Sequence, residues 1–365
     1  MRTALCISAC LLATLCGAQN LAAYFDYKNY FFVFDNGVSK ELEYQKVEEF
    51  KVGGNAVAYL NNNKELKIYY NGKADIEEPY TPHSWQVSAS LVCWKLEKRF
   101  MVFDQGETKK LTDWVLDYQI SDSMIAFNDY YNSDFKVYYK GEVITLETGG
   151  FKRSVNNYML GKNTLAFFDL NNNFKIFYRG KIYDIGTNDI NRGFCGLDIV
   201  TFTNRYTNEF SIFYKGEIIL LETVPPKQSA VGDALVAWTD NYGSLKVFYD
   251  YGTTELSSFE PSNWGVYGNF VSFNSDPEWK VFYMGKTYVL ENNLPFTEPF
   301  ANYGGVGIHS IAWTDKNGKL KYFFKGEIRT NITYEKIASL AMYRDILVFT
   351  TGISTTNVFW EGKVY

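Results

Sequence analysis

The chain has 365 residues, a formal net charge of −5 and an aromatic content of 18%. This acidic balance argues against nucleic acid as a partner, because the binding of phosphates requires a concentrated basic surface. Beyond the N-terminal segment no stretch stays apolar for the roughly 20 residues of a membrane-spanning helix, so no integral membrane segment is predicted after that segment is removed.

The first 18 residues have the pattern of a secretory signal peptide. Arg2 precedes an apolar run over residues 4–15, and small residues follow at 16–18, which predicts cleavage after residue 18. Residues 19–365 then form the mature domain, and the loss of Arg2 changes the net charge from −5 to −6. The run is shorter than the roughly 20 apolar residues that a retained membrane anchor needs. A lipoprotein cleavage site at Cys10 would leave an apolar segment too short to act as a signal. We therefore expect a secreted or periplasmic protein.

Cleavage would leave two of the five cysteines, Cys93 and Cys195. Cys93 lies inside an apolar segment, residues 90–94, and Cys195 follows three repeats later. A chain of this length buries a core without cross-links, and a disulfide requires Cα atoms within about 7 Å of each other. We predict two buried free thiols.

One pattern recurs ten times along the mature chain. A strand-like segment ends in a dipeptide whose second residue is glycine, and these glycines recur about every 36 residues, a spacing typical of propeller and solenoid repeats. The glycines are Gly37, Gly72, Gly106, Gly141, Gly180, Gly216, Gly252, Gly285, Gly326 and Gly362.

Residues 150–186 show the organisation of one repeat. Strand-like segments at 158–160, 163–168, 174–178 and 181–185 are separated by turns rich in Asp, Asn and Gly. Glycine takes the positive φ of a two-residue hairpin without steric cost, and the strand residues are the β-branched and aromatic types that favour sheets. Each repeat therefore predicts four short antiparallel strands.

The strands carry large apolar residues on both faces, as in residues 174–178 and 246–249. A two-layer sandwich leaves one face wet and predicts strict alternation, whereas each blade of a propeller is covered on both faces by its neighbours. We therefore predict an all-β β-propeller of ten repeats, with two tandem five-bladed propellers as the alternative. The first repeat lacks a first strand, and the last retains only residues 363–365 of a fourth.

The segment Val-Ala-Trp-Thr-Asp at 236–240, followed by a turn, Leu-Lys-Val-Phe-Tyr at 245–249 and a glycine dipeptide, resembles bacterial secreted β-propeller repeat proteins. The resemblance covers about residues 21–365 and implies a propeller architecture. It implies no particular family, because the Gly-His and Trp-Asp pairs of WD40 repeats and the Gly-Gly pairs of kelch repeats are not found in register.

A lysine recurs at one equivalent position of six repeats, so a ring would place these side chains at a common radius, where they could bind a ligand. The alternative is an ion pair with the acid of the preceding turn, such as Asp240 with Lys246, worth roughly 0.2–1 kcal/mol, and exposed strand lysines are common. The six residues are Lys67, Lys136, Lys175, Lys246, Lys280 and Lys321.

Other candidate groups have simpler interpretations. Trp85, Trp114, Trp264 and Trp279 are candidates for stacking on sugars, although tryptophans in a sheet-rich core usually serve packing. Residues 169–173 resemble the start of a calcium loop but lack its glycine and distal glutamate, so a turn is predicted. The only histidines, at positions 83 and 309, fall in different repeats, and neither a cofactor nor a metal site is predicted.

These observations lead to two functional hypotheses. The first is a non-enzymatic binding or scaffold module that holds a protein on its loops or at its channel mouth, and the second is a carbohydrate-binding or carbohydrate-processing propeller. The irregular segment 290–307 is the place to search for a site, and the sequon at 331–333 matters only in a glycosylating host.

Overall fold

The computed structural model describes residues 20–149, 158–186, 190–292, 304–330, 332–352 and 355–365. The predicted signal peptide at 1–18, most of segment 290–307 and Asn331 of the sequon lie outside these residues. Every regular element in the described ranges is a β-strand. Within those ranges no helix is found that could span a membrane.

The described residues contain thirty-nine strands, which form ten antiparallel sheets, one for each sequence repeat, and we number these blades 1–10. Blades 1–5 contain β1 Leu21–Phe25, β2 Phe31–Asp35, β3 Val38–Glu43; β4 Glu49–Val52, β5 Ala56–Leu60, β6 Leu66–Tyr70, β7 Lys73–Glu78; β8 Ser84–Val87, β9 Leu91–Leu96, β10 Arg99–Asp104, β11 Glu107–Thr112; β12 Val115–Ile120, β13 Met124–Asp129, β14 Asp134–Tyr139, β15 Glu142–Glu147; β16 Tyr158–Leu160, β17 Thr164–Phe168, β18 Phe174–Tyr178 and β19 Lys181–Gly186.

Blades 6–10 contain β20 Ile190–Cys195, β21 Ile199–Asn204, β22 Phe210–Tyr214, β23 Glu217–Glu222; β24 Gln228–Val231, β25 Leu235–Thr239, β26 Leu245–Tyr249, β27 Gly252–Ser257; β28 Trp264–Tyr267, β29 Phe270–Ser275, β30 Glu278–Tyr283, β31 Lys286–Asn292; β32 Gly304–Val306, β33 Ser310–Thr314, β34 Leu320–Phe324, β35 Glu327–Arg329; β36 Ile337–Tyr343, β37 Ile346–Thr351, β38 Thr355–Trp360 and β39 Lys363–Val364.

The four-strand parse of residues 150–186 is confirmed by β16–β19, which pair in sequence order. The first strands of neighbouring blades contact one another, so they surround the central channel, and the fourth strands form the outer rim. The second strands are the most deeply buried: all five residues of β5 and of β25 are buried, so both faces of these strands are covered. Burial on both faces is what the propeller prediction requires.

Packing between consecutive blades forms a single ring of ten. Each of the ten apolar clusters draws its buried residues from two successive blades. Blade 5 packs against blade 6 through Phe174 and Phe202, and blade 10 packs against blade 1 through Val348 and Phe34. Two five-bladed rings would require blade 5 to close on blade 1. The alternative of two tandem propellers is therefore wrong.

Ring closure relies on side chains. Among the described residues blade 1 has three strands, as expected, and no strand passes between it and blade 10. Phe34 contacts the rings of Trp360 and Tyr365 at centroid distances of 5.8 and 5.1 Å, and Thr356 Oγ1 donates a hydrogen bond to the Phe25 carbonyl at 2.8 Å. Face-to-face packing thus replaces an interlocked strand.

The predicted glycine hairpins are present in nine blades, where both loop residues have positive φ, as at Asn36 (47°) and Gly37 (92°). Blade 7 differs, because Tyr249 pairs with Gly252 and the loop consists of Asp250 and Tyr251, at φ 46° and 64°. The prediction that Gly252 is a turn residue is wrong, since the ladder register places this glycine inside β27.

Antiparallel alternation gives the ring two distinct faces. The loops between first and second strands and the hairpins between third and fourth strands lie at one end, which we call the belt face. The turns between second and third strands and the connections between successive blades lie at the other end, which we call the turn face.

Candidate functional site

The six predicted lysines all form ion pairs in the structure. Their closest carboxylate partners are Glu43 for Lys67 (2.7 Å), Asp129 for Lys136 (2.7 Å), Asp169 for Lys175 (2.8 Å), Glu222 for Lys246 (2.8 Å), Glu278 for Lys280 (2.8 Å) and Glu291 for Lys321. The predicted pair of Asp240 with Lys246 is confirmed at 3.0 Å. Ligand binding by these lysines stays a prediction.

Three of these lysines join neighbouring blades. Lys246 of blade 7 contacts Glu222, at the end of the fourth strand of blade 6, and the same Glu222 oxygen accepts the indole N–H of Trp238 at 3.1 Å. The same arrangement links Lys321, Glu291 and Trp313. In blade 2 it links Lys67 and Glu43 to the hydroxyl of Tyr59. We call these groups interblade clips.

Two of the six lysines, Lys175 and Lys246, also hold turns on the turn face. Asp240 Oδ1 accepts the backbone N–H groups of Tyr242 and Ser244, both at 2.9 Å, while Oδ2 contacts Lys246. Desolvation alone would raise the pKa of Asp240, but the ion pair with Lys246 and the two backbone amides outweigh it and lower the pKa. Asp169 organises its turn in the same way, with Lys175 as partner. The tips of these two turns are thus held by ionised carboxylates.

The turn face carries most of the exposed aromatic side chains among the described residues. They stand on the turns within blades 1, 4, 6 and 7 and on the connections after blades 1, 2, 7 and 9: Tyr27, Tyr44, Tyr80, Tyr130, Tyr131, Tyr206, Tyr242, Phe259 and Tyr334. Tyr242 and Tyr334 are each 93% exposed. Sequence reasoning missed this set, although Tyr242 lies in a turn rich in Asp, Asn and Gly of the kind predicted between strands.

The belt face is built mainly from backbone. The loops after the first strands donate backbone hydrogen bonds to the next blade, as from Lys162 to Gly196 (2.9 Å) and from Asp233 to Gly268 (2.8 Å). A Cβ atom at Gly196 would lie 2.1 Å from the Gly232 carbonyl oxygen, so glycine is required where the blades approach. In the described loops and hairpins of this face, only two large apolar side chains are exposed, those of Tyr251 and Met284.

The candidate tryptophans are largely occupied by packing. Trp264 is half-buried against the cluster between blades 7 and 8, and Trp85 and Trp279 are buried. Trp114 is half-buried on the turn face, where Tyr130 stacks on its ring at 3.8 Å and Lys98 Nζ lies 3.6 Å from its centroid. Sugar stacking by these residues stays untested.

The remaining candidate groups have structural partners. His83 Nδ1 accepts the Glu97 N–H at 3.0 Å, and His309 Nδ1 lies 2.9 Å from the Tyr283 hydroxyl. The turn prediction for residues 169–173 is confirmed. Neither Cys93 nor Cys195 forms a disulfide, as predicted, but only Cys93 is fully buried. Burial raises the pKa of the Cys93 thiol. No cluster of metal-ligating side chains is found in the described ranges.

The family comparison agrees with the architecture. The family model described as a 10-bladed beta propeller domain matches residues 15–365. Among solved structures, the computationally designed Ika8 protein is 16% identical, with 76% of this chain and 95% of that chain covered and a TM-score of 0.33. Prp20p from Saccharomyces cerevisiae is 9% identical, with coverages of 58% and 77% and a TM-score of 0.32.

The CRINKLY WD40 ectodomain of the Arabidopsis thaliana receptor kinase ACR4 is 6% identical, with coverages of 66% and 94% and a TM-score of 0.31. No curated protein matches the chain significantly.

Proposed function

Because the chain belongs to the family of the 10-bladed beta propeller domain, we propose that it is a non-enzymatic binding scaffold that holds a protein partner on its turn face. The observation that carries the proposal is the concentration of exposed tyrosines on this one face. Tyrosine gives a large contact area at a small cost in side-chain entropy, and it is enriched at protein interfaces.

The geometry favours a protein partner over a glycan. The exposed rings are distributed over the turns and connections of six blades, whereas a sugar-binding site needs a few rings and polar groups that converge in one pocket. Trp114 already has a tyrosine ring on one side and a lysine close by, so less of its surface is free for a sugar. The lectin or glycoside-processing function is the second candidate, and the same experiments address it.

We also propose that the protein acts outside the cytoplasm, as the signal-peptide pattern at residues 1–18 indicates. Cell fractionation with N-terminal sequencing tests this directly. The expected product begins at Gln19, and a cytoplasmic protein that retains Arg2 would contradict it.

Site-directed photo-cross-linking in the producing cells tests the turn face. A benzophenone amino acid placed at Tyr242 or Tyr334 should form one recurrent adduct with a protein, whereas the same group at Tyr251 on the belt face should not. Cross-linking from Tyr251 alone would overturn the assignment of the face. Binding on a glycan array that disappears in Tyr242→Ser would instead support the carbohydrate function.

A further inference from the structure

The channel wall contains a cavity apart from the turn face. It has a volume of about 440 Å³ and lies between the first strands of blades 4, 5, 6 and 7. Its described lining residues are Gln119, Tyr158, Met159, Leu160, Phe194, Cys195, Ser229, Ala230 and Val231. None of these side chains is charged, although 21% of all residues in the chain are.

Phe194 is displayed in this cavity by a local distortion of β20. The register of β20 against β21 shifts between Arg192 and Cys195, which is the mark of a β-bulge. Thr201, fully buried in β21, accepts the Phe194 N–H through Oγ1 at 2.8 Å. A Cβ atom on Gly193 would lie 2.1 Å from that same oxygen, so only glycine allows the bulge to form here.

The bulge leaves Phe194 54% exposed, and no other aromatic residue of the described first strands is exposed to this extent. A phenyl ring in water is unfavourable, and bulges commonly redirect a side chain beside functional sites. Met159 and the partly buried Cys195 add polarizable, adaptable surface beside the ring. The local structure therefore maintains an apolar surface that packing within the protein does not cover.

We propose that this cavity binds a neutral, largely apolar small molecule of one or two aromatic rings, stacked on Phe194 and Met159. The volume falls within the roughly 300–1,000 Å³ of small-molecule sites. A charged ligand would lose its hydration without gaining a charged partner from the lining, and Ser229 supplies a hydroxyl for one hydrogen bond.

A small molecule fits this place better than a protein segment. Towards the belt face the cavity adjoins a depression lined by the loops after the first strands. There Lys162 contacts Asp233, two blades away, at 2.9 Å and Asp122 at 3.5 Å. These contacts draw the loops together beside the cavity, so a folded partner would not reach Phe194 from that side.

Fluorescence titration of the mature protein with 1-naphthylamine, a neutral aromatic dye of two fused rings, tests the proposal. Saturable binding at one site is expected, with affinity at least tenfold lower in Phe194→Ser. Phe259→Ser, which removes an 82% exposed ring from the turn face, is the matched control and should bind the dye as the unmodified protein does. Circular dichroism confirms that each variant is folded.

Thiol labelling locates the bound dye independently. Cys195 should react with a maleimide, and saturating dye should slow this reaction at least fivefold, as followed by mass spectrometry of the Cys195 peptide. Cys93, which is fully buried, serves as the unreactive internal reference. Absence of saturable binding, affinity that survives Phe194→Ser, or labelling of Cys195 that the dye does not slow would each overturn the proposal.

Discussion

The two faces of the ring have different structural roles, although both are built from the same repeat. On the belt face, successive loops hydrogen-bond through their backbones, and Gly161, Gly196 and Gly232 each approach a carbonyl oxygen of the next blade. On the turn face, a polar side chain such as that of Asp240 or Asn61 organises its turn internally, so the residue at the tip is free of packing constraints. One end of the repeat holds the ring together, and the other can vary and display side chains.

The largest expected effect is on the belt face. Gly196→Val places a side chain against the Gly232 carbonyl, and we expect a loss of about 3 kcal/mol in the free energy of unfolding, measured by chemical denaturation. Gly252→Ala is the control, because a Cβ atom there meets only the Tyr249 carbonyl oxygen at 3.6 Å. Equal midpoints for the two variants would show that close blade approach is not essential.

A smaller effect is expected at the interblade clips. Lys246→Met leaves Glu222 and Asp240 without their shared cation and should cost about 1–2 kcal/mol, since the three side chains are only partly desolvated. Lys73→Met removes a solvent-exposed pair with Asp75 and should cost less than about 0.5 kcal/mol. A double-mutant cycle of Lys246→Met with Glu222→Gln should give a coupling above about 0.5 kcal/mol, and strict additivity would contradict the clip.

Acid should weaken the contacts by which Asp169 and Asp240 hold their turns. The pKa values of Asp169 and Asp240 are lowered in the folded protein, so their contribution is complete above the unfolded pKa of about 3.9 and is lost as the pH falls through the lower folded value. The unfolding midpoint should therefore drop between about pH 4 and pH 2. In Asp240→Asn this drop should be shallower, and a curve parallel to that of the unmodified protein would refute the assignment.

The smallest effect on stability is expected at the tips of the turn face. Tyr242→Ser and Tyr334→Ser should each change the free energy of unfolding by less than about 0.5 kcal/mol, because surface residues without packing contacts contribute little. Thermal unfolding of the two variants measures this. A loss above about 1 kcal/mol would show that these tyrosines serve the fold rather than a partner.

The strands and hairpins were predictable because their signals are local. β-branched and aromatic segments between glycine dipeptides define the strands, and only the blade 7 loop was misplaced, since the register of Tyr249 with Gly252 is fixed by the ladder. The number of rings was not predictable, because the apolar pattern of blade 5 is the same whether it packs against blade 6 or blade 1.

The candidate site was predictable only in part. The pair of Asp240 and Lys246 lies within one repeat and follows from its sequence. The contact of Lys246 with Glu222 crosses a blade boundary, so it follows only from the geometry of the ring. The turn tyrosines were visible in the sequence, but a chain with 18% aromatic residues gives no local sign of which rings are exposed. The bulge at Phe194 depends on Thr201 in the neighbouring strand.

The contact between blade 10 and blade 1 has a mechanical consequence. Every other pair of neighbouring blades is also joined by the polypeptide itself, whereas this seam depends on Phe34 with Trp360 and Tyr365, a small apolar cluster and one hydrogen bond. If opposing loads in an optical trap are applied through handles on these two blades, the toroid should split at this seam first. The opened chain of blades should then extend one blade at a time.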